Sequence, residues 1–210
     1  LVGVLDVFFE EKGYINSAEW RRFCSPTVPL MRTDKFVYNN KEILKADIEV
    51  AHFGAEALKQ AEIVYTLKAQ GTLATQDIPV GNLNRTGSLE FPLTDIQEAK
   101  KLNLEIRITG TEAVNDWNFW VYPAQVTIAE GKVYTTDTLD SKALEILQHG
   151  GNVLITAASK VSYGKEVVQQ FTPVFWNTSW FKMRPPHTTG ILVNPKHPLF
   201  RQFPTEYHSN

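Results

Sequence analysis

Short segments in which apolar and polar residues alternate, each ended by turn residues, are the feature of this sequence that most limits its fold. The clearest segment runs from Ile43 to Phe53 and stops at Gly54. A period of two is the repeat of a β-strand with one buried face. Similar segments follow at residues 61–69, 72–80, 87–93, 102–109 and 117–122. About seven short strands at intervals of roughly ten residues predict an antiparallel immunoglobulin-like β-sandwich.

Helical spacing replaces this alternation at the start of the chain. The apolar residues that recur at helical spacing there are Leu1, Val4, Leu5, Phe8 and Phe9. Gly13 then offers a helix end, and Asn16 with Glu19 forms the pattern of a capping box, in which each side chain bonds the backbone N–H of the other residue. Trp20 and Phe23 follow as an apolar stripe. These patterns predict two short helices before the sandwich.

An α/β pattern follows the sandwich. Thr138 or Asp140 can cap a helix whose apolar face carries Leu144 and Leu147, and Gly150 can end it. The continuous apolar run at residues 153–158 is typical of a strand that is buried on both faces. One such strand cannot bury both faces by itself. We therefore expect a small, incomplete α/β domain after the sandwich.

The length of the chain predicts more than one domain, and its composition argues against several kinds of partner. At 210 residues it is longer than a usual single domain of about 100–150 residues, and we expect short helices in residues 1–26, the sandwich in 27–128 and the partial α/β domain in 129–210. Lys and Arg total 21 against 23 Asp and Glu, so no nucleic-acid partner is expected. No apolar run approaches the roughly 20 residues of a membrane span, so no membrane partner is expected. The single Cys24 excludes an internal disulfide and a thiolate cluster.

Several stretches together carry a family resemblance. They are Leu1-Val-Gly-Val-Leu-Asp, Ser17-Ala-Glu-Trp-Arg-Arg-Phe, Phe175-Trp-Asn-Thr-Ser-Trp-Phe, Pro186-His-Thr-Thr-Gly-Ile-Leu, His197-Pro-Leu-Phe and Phe203-Pro-Thr-Glu-Tyr-His. In register across nearly the whole chain, the sequence resembles the C-terminal third of bacterial glycoside hydrolase family 2 proteins, the β-galactosidase and β-glucuronidase relatives of gut Bacteroidetes. The resemblance implies that residues 1–26 end a catalytic (β/α)8 barrel. A sandwich and a flavodoxin-like or amidotransferase-like domain would follow.

The resemblance also implies that the catalytic residues lie in another part of the parent protein. Family 2 enzymes retain configuration and use two catalytic Glu residues on barrel strands, which would lie upstream of Leu1, so no catalytic residue carries over to this chain. An amidotransferase would need a nucleophilic Cys in the last domain, but Cys24 lies in the first part. The implied partners are the upstream barrel and the carbohydrate substrate of the parent enzyme. The implied location is periplasmic or secreted, and no cofactor is expected.

Two groups of ionisable residues do not meet the requirements of a functional site. Asp6 and Glu10 could approach as the carboxyl pair that glycoside hydrolysis requires, but they lie on the polar side of the predicted first helix, where solvated acids are usual. Histidines occur at His187, His197 and His208, near Glu206. Their spacing fits no compact metal template, and each neighbours a proline or a turn. We expect loop hydrogen bonds there and neither a metal nor a catalytic site.

Aromatic residues are the better candidates for binding, because sugars present C–H faces that stack on tryptophan. The candidate carbohydrate-binding residues are Trp176, Asn177, Trp180 and His187. The rings can equally plug the small domain onto the sandwich. Trp117 and Trp120 should face opposite sides of one strand, with Trp120 in the core or at a domain interface. Asn84 and Asn177 begin N-glycosylation patterns that short sequences often match by chance.

The resemblance therefore implies that this chain is a non-catalytic accessory region of a family 2-like glycoside hydrolase. In this role it would brace the catalytic barrel and could lend a loop to the substrate cleft. Two alternatives remain open. One is a carbohydrate-binding module that uses the Trp176–Trp180 loop, and the other is an interaction module that forms homo-oligomers.

Overall fold

The computed structural model describes residues 3–126, 131–157, 160, 170–171, 187–188 and 191–209. Within them lie the helices α1 (Ser17–Phe23) and α2 (Ser141–Gln148) and a 3-10 helix (Pro198–Gln202). The strands are β1 (Thr27–Arg32), β2 (Val37–Asn39), β3 (Ile43–His52), β4 (Leu58–Thr66), β5 (Gln70–Ile78), β6 (Asn82–Pro92), β7 (Lys100–Ile108), β8 (Val114–Tyr122), β9 (Val133–Thr136), β10 (Asn152–Ile155), β11 (Gln170–Phe171), β12 (His187–Thr188), β13 (Ile191–Leu192) and β14 (His208–Ser209).

Strands β1 to β8 form two sheets that pack face to face. The first is a three-stranded antiparallel sheet in the order β1-β3-β6, and the second is a five-stranded sheet in the order β2-β8-β7-β4-β5. All neighbours in the second sheet are antiparallel except the short edge strand β2, which runs parallel to β8. The prediction of a β-sandwich is confirmed.

The core follows from the alternation of apolar and polar residues along the strands. In β3, Leu44, Ile48 and Val50 are fully buried, while the charged residues between them remain partly or fully exposed. From the opposite sheet the core receives Ile63, Leu104, Ile106, Ile108, Phe119 and Val121. Each fully buried aliphatic or aromatic side chain contributes about 1.5–3 kcal/mol. This core is what orients the outward-facing residues of β7 and β8.

Side-chain amides close both sides of the sandwich, where the two sheets share no backbone ladder. On one side the buried Asn115 Nδ2 donates to the Pro29 carbonyl over 3.0 Å. Proline suits this position, because it lies on an edge strand and has no N–H to leave unpaired. On the other side Gln76 Nε2 donates to the Arg85 carbonyl over 3.2 Å.

The first predicted helix is wrong. Residues 3–12 form a tight hairpin-like loop that is closed by a bridge between Leu5 and Glu11. The Asp6 carboxylate accepts hydrogen bonds from the backbone N–H groups of Phe8 (2.8 Å) and Glu10 (3.0 Å). An aspartate that binds nearby N–H groups in this way offers the backbone an alternative to the helix. Phe9 completes the turn at a positive φ of 63°.

The second predicted helix, α1, is confirmed together with its cap. Asn16 Oδ1 accepts from the Glu19 N–H, and Glu19 Oε2 accepts from the Asn16 N–H, each over 2.9 Å. This reciprocal pair is the predicted capping box. Helix α1 ends at Phe23, before Pro26.

A β9-α2-β10 segment follows the sandwich, with β10 parallel to β9. Asp140 caps α2 as predicted, and Gly150 leaves it with a φ of +75°. The predicted burial of this segment is wrong, because Leu144 and Leu147 are 46% and 47% exposed and Leu154 is 52% exposed. Among the residues described between 131 and 157, two paired strands and one short helix give these side chains little surface to pack against.

The chain divides into two compact units. One consists of Leu1–Ala124 with Pro198–Pro204, and the other of Gln125–His197 with Thr205–Asn210. In the first unit the Phe203 ring stacks on Tyr122, with centroids 5.2 Å apart, and the Tyr122 hydroxyl donates to the Pro204 carbonyl over 3.4 Å. None of the helices in the described ranges has the length and apolar character needed to cross a bilayer.

Candidate functional site

Three of the four predicted carbohydrate-binding residues, Trp176, Asn177 and Trp180, lie outside the described residues. The fourth, His187, lies in β12, where its backbone pairs with Gln170 of β11 in parallel register. A sugar-binding role for this group therefore stays a prediction, as does the formation of homo-oligomers.

The sequence does not favour Asp6 with Glu10, or the histidines near Glu206, as functional sites. The Asp6 carboxylate builds the turn at residues 6–10 by accepting two backbone N–H groups. Within the ranges that the structure describes, no three His, Cys, Asp or Glu side chains come together as metal ligands.

The outer face of β7 and β8 carries an unusual row of residues. On β8 the residues Asn115, Phe119 and Val121 are buried, and Trp117 packs against the same core. Because side chains alternate along a strand, Asn118 and Trp120 lie on the opposite, outer face. Trp120 is therefore not part of this core, so the first of its two predicted placements is wrong, and the second, at a domain interface, stays a prediction. We name the outward residues Lys101, Asn103, Asn118 and Trp120 the Trp120 strip.

Cross-strand pairs hold the strip together. Lys101 lies opposite Trp120, and its Nζ is 5.8 Å from the centroid of the indole ring. Asn103 lies opposite Asn118, and Asn103 Nδ2 donates to Asn118 Oδ1 over 3.0 Å. The same Nδ2 donates to Asp116 Oδ2 over 2.7 Å. The hydrogen-bonded amides of Asn103 and Asn118 thus lie beside the half-buried ring of Trp120.

A specific contact limits the strip at each end. At one end Arg22 of α1 forms an ion pair with Asp116, and both side chains are partly buried. At the other end Phe203 stacks on Tyr122, and burial raises the pKa of the Tyr122 hydroxyl. From Asp116 to Tyr122 the strand advances by about 20 Å. The strip is therefore a bounded surface on a rigid sheet.

Two surface clefts belong to the same unit. The larger, of about 460 Å³, lies between the end of α1 and the β7-β8 turn and is lined by residues that include Arg21, Cys24 and Glu112. Arg21 and Glu112 pair across it at 3.2 Å, and both side chains are largely exposed. The smaller, of about 310 Å³, lies on the three-stranded sheet. Two of the charged residues that line it, Lys45 and Glu90, pair at 2.9 Å.

Every described carboxyl group with a shifted pKa is shifted downward. The residues are Glu42, Asp47, Asp77, Asp95, Asp137 and Asp140. A hydrogen bond is the main cause in each case, for example from Lys59 to Asp77 and from the Ala143 N–H to Asp140. The general acid of a glycosidase needs a raised pKa. These six carboxylates instead accept hydrogen bonds in ion pairs, caps and turns.

Sequence reasoning missed one buried polar residue, His52 at the end of β3. It is 2% exposed, and its two ring nitrogens contact Thr27 Oγ1 and the Glu56 carbonyl oxygen, each at 2.8 Å. Because a carbonyl only accepts, Nε2 carries the proton that it donates to Glu56. In the neutral ring, Nδ1 then accepts from the Thr27 hydroxyl. A polar residue at a core position of an alternating strand was the signal that could have found it.

Two family models match separate parts of the chain. One, described as a domain of unknown function (DUF8488), matches residues 42–123, and the other, described as a domain of unknown function (DUF8487), matches residues 134–210. The first match spans β3 to β8, and the second begins within β9. No curated protein matches the sequence.

Two solved structures show weak similarity. One is a Pseudomonas fluorescens alkylpurine DNA glycosylase, AlkC, bound to DNA containing an abasic site analog, at 10% identity and a TM-score of 0.39, over 47% of this chain and 31% of that chain. The other is human titin ZIg10, at 7% identity and a TM-score of 0.28, over 50% of this chain and 83% of that chain. The chain thus spans less than a third of the glycosylase. Neither similarity is close enough to support an argument about function.

Proposed function

We propose that this chain is a non-catalytic accessory region of a family 2-like glycoside hydrolase, in which it braces the catalytic barrel of a parent enzyme that hydrolyses O-glycosyl bonds. The observation that carries the proposal is an exposed aromatic surface in residues 8–23. Phe8 and Phe9 at the tip of the first loop are 77% and 84% exposed, and Tyr14 and Phe23 are also exposed. The sequence resemblance implies that residues 1–26, which include this surface, end the barrel.

The aromatic surface is held in position rather than left loose. Asp6 fixes the turn that presents Phe8 and Phe9 through two backbone hydrogen bonds. The helix that follows is tied to the sandwich by the ion pair between Arg22 and Asp116. Large aromatic side chains bury 150–250 Å² each and dominate the energetics of interfaces. A preformed surface of this kind suits a permanent contact with another domain.

The architecture supports the finer parts of the proposal. The first sheet has the order β1-β3-β6, the second ends in β8-β7-β4-β5, and this arrangement is compatible with an immunoglobulin-like sandwich. The β9-α2-β10 segment, with its parallel strands, is compatible with the start of a flavodoxin-like or amidotransferase-like domain. We propose accordingly that residues 1–26, 27–128 and 129–210 are the barrel end, the sandwich and a partial α/β domain. The parent enzyme would be periplasmic or secreted.

The test compares the same substitutions in two contexts. The double change Phe8→Ala and Phe9→Ala should leave the thermal unfolding of the 210-residue chain unchanged, because both rings are exposed in it. In the parent gene product that contains the barrel, the same change should lower the unfolding temperature and the rate of nitrophenyl glycoside hydrolysis. Phe53→Ala is the matched control, since Phe53 is an exposed phenylalanine elsewhere on the sandwich.

Two results would contradict the proposal. One is a parent protein whose stability and activity do not respond to the Phe8 and Phe9 changes. The other is hydrolysis of nitrophenyl β-galactoside or β-glucuronide by the purified 210-residue chain itself.

A further inference from the structure

We infer that residues 6–11, which we name the acidic loop, insert into an apolar pocket with a basic rim on the neighbouring catalytic barrel. The inference rests on the proposed function, in which the aromatic surface of residues 8–23 contacts that barrel. It goes further by naming the chemistry of the partner surface.

The tip of the acidic loop consists of three consecutive apolar residues. Val7 is 57% exposed, and Phe8 and Phe9 are more exposed still. Aromatic side chains that are exposed in one protein and buried in a pocket of its partner supply much of the energy of an interface. The tip is therefore the part of the loop that enters the pocket.

The backbone holds this tip outward in a strained turn. Phe9 has a φ of 63°, a conformation that bulky residues rarely adopt. The Phe9 N–H donates to the Asp6 carbonyl over 3.3 Å, and the Asp6 N–H donates to the Glu10 carbonyl over 2.9 Å. Strained residues that are fixed in this way are concentrated at functional sites. A strained turn that directs an exposed ring into solvent points to a contact outside this chain.

Carboxylates surround the tip. Glu10 and Glu11 follow it directly, both are exposed, and neither has an ion-pair partner among the described residues. Asp6 precedes the tip, and its carboxylate accepts two backbone N–H groups. The next residue after the loop is basic, but Lys12 Nζ donates to the Gly3 carbonyl at the base of the loop over 2.7 Å. The rim around the tip is therefore negatively charged.

The charge of this rim decides between the possible occupants. Protein interfaces have an apolar centre inside a polar rim, and the charges that meet across the rim are complementary. Two copies of this chain that met through their acidic loops would bring like charges together, which opposes association. Lysine or arginine side chains around an apolar pocket provide the complement. The acidic loop therefore fits a basic-rimmed pocket and not a second copy of itself.

The experiment compares charge variants in the parent gene product that contains the barrel. Glu10→Lys with Glu11→Lys should lower its unfolding temperature by several degrees at low salt, because attraction across the rim becomes repulsion. Most of this loss should disappear in 1 M NaCl, where the Debye length is about 3 Å. Glu56→Lys with Glu98→Lys is the matched control, since both glutamates are exposed at other places on the sandwich. The control should show no such loss.

The 210-residue chain alone provides the second measurement. There the Glu10 and Glu11 changes should leave the unfolding temperature unchanged, and a loss would overturn the inference, because the carboxylates would then stabilise the fold itself. A salt-independent loss in the parent, or a dimer of the 210-residue chain that Phe8→Ala with Phe9→Ala dissociates, would also overturn it.

The two proposals can fail separately. If the parent responds to the Phe8 and Phe9 changes but not to the charge reversal, the inference is overturned and the bracing role stands. If the parent responds to neither set of changes, both fail.

Discussion

The Tyr65 ring lies against the backbone of Gly71, its cross-strand partner between β4 and β5. A Cβ atom at Gly71 would lie 2.5 Å from both Cζ and Oη of that ring. Tyr65 cannot easily move away, because it packs edge-to-face on Phe91 with centroids 5.5 Å apart. The ring thus covers a strand position that only glycine can occupy, and it joins the edge of the second sheet to the first.

Gly71→Ala should destabilise the chain by about 1–3 kcal/mol, as overpacking does in a well-packed core. Chemical denaturation measures the change in the free energy of unfolding. Gly131→Ala is the control, since the nearest atom to its added Cβ would be 3.9 Å away. Adding Tyr65→Ala to Gly71→Ala should remove the clash, so the two changes should be non-additive. Additive costs would contradict the proposed contact.

His52→Leu should lower the free energy of unfolding by about 1–3 kcal/mol, because it leaves the Thr27 hydroxyl and the Glu56 carbonyl without their buried partner. Denaturant unfolding at neutral pH checks this. His149→Leu provides the comparison, because His149 is an exposed residue at the end of α2. Equal effects of the two substitutions would show that the buried contacts of His52 are unimportant.

Asn84 should resist glycosylation in the folded chain, although it begins an Asn-Arg-Thr pattern. Its Nδ2 donates to the carbonyls of Val50, Pro79 and Asn82 at 3.1–3.3 Å, so the atom that would carry the glycan is engaged in the fold. Asn84→Ala should cost about 1 kcal/mol or more, whereas the exposed Asn82→Ala should cost less. Mass spectrometry after exposure of the folded chain to an oligosaccharyltransferase measures occupancy. Efficient modification of Asn84 in the native chain would refute this prediction.

Acid should weaken the cap of α2 through Asp140. The hydrogen bond from the Ala143 N–H lowers the pKa of Asp140 from its ordinary 3.8 in the folded state. Because the folded pKa is depressed, this stabilisation is present above about pH 4 and is lost as the pH falls through the folded pKa. Asp140→Asn keeps a good capping residue but cannot titrate in this range. The NMR chemical shift of the Ala143 N–H should therefore change with acid in the unsubstituted chain and not in the Asp140→Asn variant. Identical pH titrations of this signal in the two proteins would rule out the cap as the cause.

The local patterns of the sequence predicted most of the sandwich. Alternation over residues 43–53 matched β3 closely, and the Asn16–Glu19 capping box matched α1, because both features depend on neighbours within a few residues. The same reasoning failed at Phe8 and Phe9. Their spacing suits a helix, but the hydrogen bonds that Asp6 makes to nearby N–H groups form a turn instead. The same reasoning also failed for Leu144 of α2 and Leu154 of β10, since burial depends on how many elements pack around a helix or a strand.

By itself, the sequence determined most strands of the sandwich, where α1 begins and which face of β3 is apolar, because period and capping are properties of the local chain. The tertiary structure decided which strands are neighbours, that Trp117 rather than Trp120 packs against the core, and that Asn103 and Asn118 meet beside Trp120. These relationships join residues that are distant in the chain. They depend on the register of β7 against β8 and on the packing of one sheet against the other, and no local pattern encodes either.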